Sequence, residues 1–263
     1  MLDLITPSIQ SIILDMDGVL WRGNQPLCDL PILFINFAKT KIKVILATNN
    51  ATHTVQQTID KVEKFGVIIQ PWQVITSAMA TGYLMKQDFP EGGPVFILGE
   101  QALIDTLSDF DFYHDEENPV AVVAGLDRNL TYDRIQKTSL IIQKGLPFYF
   151  TNLDPTFPTA EGLSPGAGTV LAALEAASGV KAILAGKPLP YLYDIALKRL
   201  QTEPISTLVA GDRLDTDIIG GKRAGCKTVL VLSGVTKKED LESFKIKSDF
   251  VINNISDLFS SDP

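Results

Sequence analysis

Residues 11–21 read SIILDMDGVLW: the apolar run Ile12, Ile13 and Leu14 meets Asp15, and Asp17 and Gly18 follow. The run has the length and branching of a buried strand, and a strand that ends in carboxylates delivers chemistry at its carboxyl end. Two carboxylates one residue apart repel each other. Either they lie in a solvated turn, which Asp and Gly favour, or a divalent cation offsets the repulsion.

The same arrangement recurs along the chain. The runs SIIL, KVILA, VFIL, VAVVAG, FYF, AILA, TLVAG and TVLVL are short, rich in Val and Ile, and without alternation. Such runs suit strands covered on both faces, hence largely parallel sheets. Amphipathic segments separate them. THTVQQTIDKVEKFG places Val55, Ile59 and Val62 on one helical face and stops at Gly66; TYDRIQKTSLIIQKG groups Tyr132, Ile135, Ser139 and Ile142 and stops at Gly145. SPGAGTVLAALEAASG and YLYDIALKRLQ add further helices. Alternating strands and helices predict a doubly wound, Rossmann-like α/β core with ligand groups at the carboxyl ends of parallel strands.

Those ends carry complementary chemistry. SIIL delivers Asp15 and Asp17; KVILA delivers Thr48, Asn49 and Asn50; AILA leads to Gly186, Lys187 and Pro188; TLVAG leads to Asp212, Asp215 and Asp217. Hard carboxylate oxygens suit Mg²⁺, with Asp212 completing a site begun by Asp15 and Asp17. Lys187 brings a cation for a phosphate oxygen, and Thr48 and Asn49 bring a hydroxyl and an amide. Four such ends together favour a metal and phosphate site over a turn.

Composition narrows the alternatives. The chain of 263 residues is 45% hydrophobic and carries a formal net charge of -8, which argues against a broad nucleic-acid surface. No apolar run approaches the ~20 residues needed to span a bilayer, and MLDLITPSIQ, with Asp3 and Pro7, does not read as a signal peptide. The expectation is a cytoplasmic protein without membrane or nucleic-acid partners. Cys28 and Cys226 lack metal spacing and read as packed, idle thiols. His53 and His114 read as surface residues, and DFDFYHDEEN as a solvated edge. GAGTVLA, residues 166–172, imitates a dinucleotide fingerprint, but EGLSP before it reads as a loop; a helix start with small residues for close packing fits better.

DMDGV, ATNN, GKP and GDRLDTD, in this order, resemble the four motifs of the haloacid dehalogenase superfamily of phosphohydrolases. VVAGLDRNLTYDRI, FYFTNLDPTFPTAEGLSPGAG and GKPLPYLYDIAL resemble its subclass IIA, which carries a large α/β cap between the second and third motifs and includes p-nitrophenyl phosphatases, phosphoglycolate phosphatases and sugar phosphatases. The resemblance implies a catalytic core over residues 1–81 and 181–263 and a cap over 82–180. It implies Asp15 as nucleophile, Asp17 as general acid whose main-chain carbonyl reaches the metal, and Asp212 with Asp217 at the Mg²⁺ site. Thr48 and Lys187 would hold the phosphoryl group, with Asn49 and Asn50 in support. In the cap, Asn152 and Asp154 of TNLD would either meet the substrate or only make a turn. The implied activity is Mg²⁺-dependent hydrolysis of a small phosphomonoester through an aspartyl phosphate. A phosphotransferase or mutase using the same intermediate, and a non-catalytic phosphate-ester-binding protein, remain alternatives. The resemblance also implies a homodimer through the cap.

Overall fold

The computed structural model describes residues 2, 7–159, 162–242 and 245–260. Asp3, and Ala160 and Glu161 within the cap stretch, lie outside the described residues. The chain divides into two compact units, one of residues 1–48, 55–75 and 193–263, the other of residues 49–54 and 76–192.

The first unit is built on a six-stranded sheet in the order Phe250–Ile252, Lys227–Val231, Thr207–Gly211, Ser11–Leu14, Lys43–Thr48, Val74–Thr76. The pairings from Phe250–Ile252 through Lys43–Thr48 are all parallel. Ser11–Leu14 and Thr207–Gly211 are buried at every position, as strands covered on both faces must be. On one face Ile12, Leu14, Leu46, Leu208 and Ala210 pack with Leu33, Phe37 and Val62. Each such side chain contributes about 1.5–3 kcal/mol by leaving water. The helix Val55–Lys64 buries Ile59 and Val62, Val55 packs at the margin, and Gly66 follows at φ 81°.

The second unit holds a five-stranded parallel sheet, ordered Ile183–Leu184, Phe148–Phe150, Ala121–Ala124, Gly93–Leu98, Phe112–His114. Its core joins Phe96, Val122 and Phe150 to Ile142, Val170 and Leu174. The α/β class with largely parallel sheets is as the sequence predicts. Phe112–His114 forms the sheet's edge with Tyr113 and His114 exposed, so DFDFYHDEEN is a solvated edge.

Some elements differ from the sequence reading. Tyr132 opens the helix Tyr132–Ile142 but is 78% exposed; the buried face is Thr138, Ser139, Ile141 and Ile142. A first-turn residue has no preceding helical turn to pack beside, so periodicity overstates its burial. Gly162–Pro165, which composition makes a loop, pairs antiparallel with Thr156–Thr159. Pro, Gly and Ser suppress the strand signal, yet a short two-stranded ribbon tolerates them. Val74–Thr76, Phe250–Ile252 and the small hairpin Trp21–Arg22 with Gln25–Pro26 are too short to stand out from their flanks. Both cysteines are free; burial pushes the Cys226 thiol up to about 12, and burial with the neighbouring Asp29 charge pushes Cys28 up to about 11. Among the described residues no helix is long and apolar enough to cross a membrane.

Candidate active site

Strand register assembles the first constellation. Leu14 pairs with Ala210 on one side and Leu46 on the other, and the Asp15 N–H donates to the Ala210 carbonyl at 2.8 Å. Residues some two hundred positions apart in sequence therefore leave adjacent strands at the same level. One carboxylate oxygen from each of Asp15, Asp212 and Asp217 lies within 4.8 Å of the others. Asp212 and Asp217 are buried and Asp15 is half-buried. Three acids held this close need a shared counter-charge.

Each buried acid is fixed by backbone. The Val235 N–H donates to Asp212 Oδ2 at 2.6 Å, and the Thr236 N–H donates to the Asp212 carbonyl at 3.1 Å. Gly18, at φ 88°, and Gly234 press against that carboxylate so closely that a Cβ on either would overlap it. Asp217 stands on a π-helical turn, Leu214–Ile218; its Oδ2 accepts from the Arg213 N–H at 3.2 Å, and its carbonyl accepts from the buried Tyr193 hydroxyl at 3.2 Å. A Cβ on Gly211 would overlap the Asp217 side chain. Carboxylates alone, without histidine or cysteine, form this set, and such hard oxygen donors fit Mg²⁺. Asp215 stays outside the cluster, paired with Arg213 at 3.0 Å on the surface.

The Asp17 side chain takes a separate environment. Its Oδ1 accepts from the Trp21 indole N–H at 2.9 Å and lies 3.9 Å from the Lys61 ammonium. Lys61 also lies over the Trp21 ring, 4.5 Å from its centroid. Burial lowers the Lys61 pKa, and the adjacent Asp17 charge opposes that shift. Asp15 and Asp17, alike in sequence, are thus differently surrounded, as two carboxylates with two roles would be. Thr48 ends its strand buried.

The second unit carries the second constellation, centred on Lys187, which is 4% exposed. The Asn49 side chain brackets its main chain: Oδ1 accepts from the Lys187 N–H at 2.8 Å, and Nδ2 donates to the Lys187 carbonyl at 3.2 Å. The same Nδ2 reaches Asp154 Oδ2 at 3.0 Å. The Asn152 amide donates to the Asn49 carbonyl at 2.7 Å, and its Oδ1 accepts from the Asp154 N–H at 3.1 Å. Ser77 Oγ donates to the Asn49 carbonyl at 2.5 Å. Gly186 completes this knot, since a Cβ there would overlap Thr151 and Asn49, and the Lys187–Pro188 peptide is cis. Asn50 turns away to accept from Thr52 and to meet His53, which is exposed. Gly166 and Gly168 approach the Leu153 and Asp154 carbonyls, so the small residues of GAGTVLA serve close packing at a helix start.

Composition alone did not reveal Gly211, Gly234, Trp21, Lys61 or Ser77. The visible signals were the glycines beside the acidic motifs and the Trp four residues after Asp17.

Comparison with known proteins gives the family. Residues 12–113 match the family described as haloacid dehalogenase-like hydrolase, and residues 184–258 match one described as HAD-hydrolase-like. A 5'-nucleotidase from Bacillus subtilis is 31% identical over 249 residues, covering 93% of this chain and 95% of that protein. The crystal structure of a 4-nitrophenylphosphatase from Thermotoga maritima superposes with a TM-score of 0.89 at 36% identity, covering 95% of this chain and 96% of that one. A glycerol phosphate phosphatase from Mycobacterium tuberculosis, solved in complex with magnesium, gives a TM-score of 0.87 at 29% identity over 95% of this chain and 76% of its own. The chain belongs to the haloacid dehalogenase-like hydrolases, in their subclass IIA.

Proposed function

We propose that the protein is a Mg²⁺-dependent phosphatase that hydrolyses a small phosphomonoester through an aspartyl phosphate on Asp15. The observation that carries this reading is the cluster of Asp15, Asp212 and Asp217 at the carboxyl ends of neighbouring parallel strands. The 5'-nucleotidase name of a relative and the phosphatase names of solved neighbours support it.

Asp15 attacks phosphorus, and the bond to the ester oxygen breaks; a covalent intermediate divides one difficult displacement into two. Asp17 gives a proton to the departing oxygen and then, as carboxylate, takes one from the water that attacks the phosphoryl aspartate. Thr48 and Lys187 hold the phosphoryl oxygens, and Asn49, Asn50, Asn152 and Asp154 are the supporting set. In that set Asn49 and Asn152 act through the backbone they brace, since the Asn49 amide is engaged with the Lys187 main chain and the Asn152 amide with the Asn49 carbonyl. Asp15, Asp212, Asp217 and the Asp17 carbonyl would hold Mg²⁺, which when bound neutralises charge on the transferring group. Residues 82–180 serve as the cap that selects the leaving group.

Turnover of p-nitrophenyl phosphate with Mg²⁺ tests the assignment. Asp15→Asn is expected to lose at least about 10³-fold in kcat. Undiminished turnover would remove Asp15 as nucleophile. A panel of phosphoglycolate, sugar phosphates, pyridoxal phosphate and nucleoside monophosphates then ranks the leaving groups by kcat/KM.

A further inference from the structure

The segment Asp15–Trp21 folds back on itself within one turn. The Met16 carbonyl accepts from the N–H groups of Leu20 at 2.8 Å and of Val19 and Trp21 at 3.3 Å, and the Gly18 N–H donates to the Trp21 carbonyl at 2.8 Å. This turn lays the Trp21 indole against Asp17, four residues earlier. Trp21 is 1% exposed, and Phe65 packs on its ring with centroids 5.7 Å apart. Lys61 arrives from the helix Val55–Lys64, over the ring. Both cationic or polar groups address the same carboxylate oxygen, Oδ1.

We propose that Trp21 and Lys61 are positioning residues that decide which oxygen of Asp17 carries the transferable proton, assigning it to Oδ2. The inference rests on the reading of Asp17 as general acid. Indole N–H and ammonium groups only donate hydrogen bonds. An oxygen facing both must be the unprotonated, carbonyl-type oxygen of the neutral acid, so the proton sits on Oδ2. In the first step the Oδ2–H bond breaks towards the leaving oxygen and its electron pair stays on Oδ2. Meanwhile an Asp15 oxygen bonds to phosphorus, and the P–O bond to the leaving group breaks with its electrons on the departing oxygen. In the second step the water oxygen bonds to phosphorus while the bond from Asp15 to phosphorus breaks and its electrons return to the Asp15 carboxylate, and Oδ2 receives the water's proton. The donors at Oδ1 keep the carboxyl from rotating, so one oxygen serves both transfers.

Leaving-group dependence separates this role from a general structural one. An alkyl ester such as glycerol phosphate needs its oxygen protonated as it leaves; p-nitrophenolate departs without a proton. The measurement is kcat/KM, which reports the first irreversible step, for both esters with wild type, Trp21→Phe, Lys61→Met and Asp17→Asn. Trp21→Phe keeps the buried ring and removes only the donor. It is expected to lose about 10- to 100-fold on glycerol phosphate and less than about threefold on p-nitrophenyl phosphate, a fraction of the roughly 10²–10⁴-fold that general acid catalysis supplies. Lys61→Met shifts the ratio in the same direction by a smaller factor. Neither substitution shifts the ratio further in the Asp17→Asn background. Equal losses on the two esters in both variants, or a further shift without the Asp17 carboxyl, would overturn the positioning role. An Asp17→Asn variant whose own ratio stays at the wild-type value removes the general-acid reading, and this role with it.

Discussion

At Asp212 a carboxylate sits in a socket made of glycine. Gly18 and Gly234 leave no room for a Cβ, and the Val235 N–H holds Oδ2 at 2.6 Å. Gly234→Ala should therefore displace the carboxylate from Asp15 and Asp217. The expected result is a loss of Mg²⁺ affinity of about 10- to 100-fold by titration calorimetry, the range seen when groups that orient a ligand are removed. Asn49 presents a comparable case without a metal. Its amide bonds both main-chain groups of Lys187, so Asn49→Ala removes two buried hydrogen bonds at once. That costs about 2–3 kcal/mol in denaturant unfolding. It should also lower kcat/KM by about 10- to 100-fold through a misplaced ammonium. A residue that merely filled space would lose stability without that fall.

Strand edges show how side chains do the work of ladders. Asp249 stands just before Phe250–Ile252, and its Oδ2 accepts from the N–H and hydroxyl of Thr228, each at 2.8 Å, while Oδ1 meets Lys222 at 2.9 Å. Burial alone would raise its pKa, but the bonds to Lys222 and Thr228 outweigh it and hold the group below 3.8. A carboxylate depressed in the folded state adds stability that is complete above its unfolded pKa and is lost as pH falls through the folded value. Asp249→Asn should therefore destabilise by about 1 kcal/mol near pH 7, since the site is partly exposed. Wild type and variant should converge as pH falls through the depressed folded value, as read by urea midpoints. A difference that persists in acid would assign the effect to packing instead. Secondary structure at this scale was legible wherever an apolar run was long enough. Lys43–Thr48 announces itself, whereas Val74–Thr76 has three residues and Gly162–Pro165 has the composition of a turn.

Over the whole chain, the clustered acids Asp15, Asp212 and Asp217 are brought together by topology. The first unit draws on residues 1–48, 55–75 and 193–263, so its sheet pairs the beginning of the chain with its last third. On the proposed reading, chelation with EDTA should abolish p-nitrophenyl phosphate turnover, and added Mg²⁺ should restore it. Unaltered turnover after exhaustive chelation would leave the cluster of Asp15, Asp212 and Asp217 without its proposed ion.

The sequence by itself determined the α/β class, the placement of Asp15, Thr48, Lys187 and Asp212 at strand ends, and the family. Apolar runs and motif spacing are local properties, and they survive without knowledge of what lies beside them. Only the tertiary structure decided that Leu14 pairs with Ala210, that the Asn49 side chain is occupied by the Lys187 main chain, and that the Asn152 amide is occupied by the Asn49 carbonyl. It also decided that Trp21 and Lys61 meet at one oxygen of Asp17. Register, rotamer and hydrogen-bond partner depend on groups far apart in the chain, and those meet only when the sheet closes the distance.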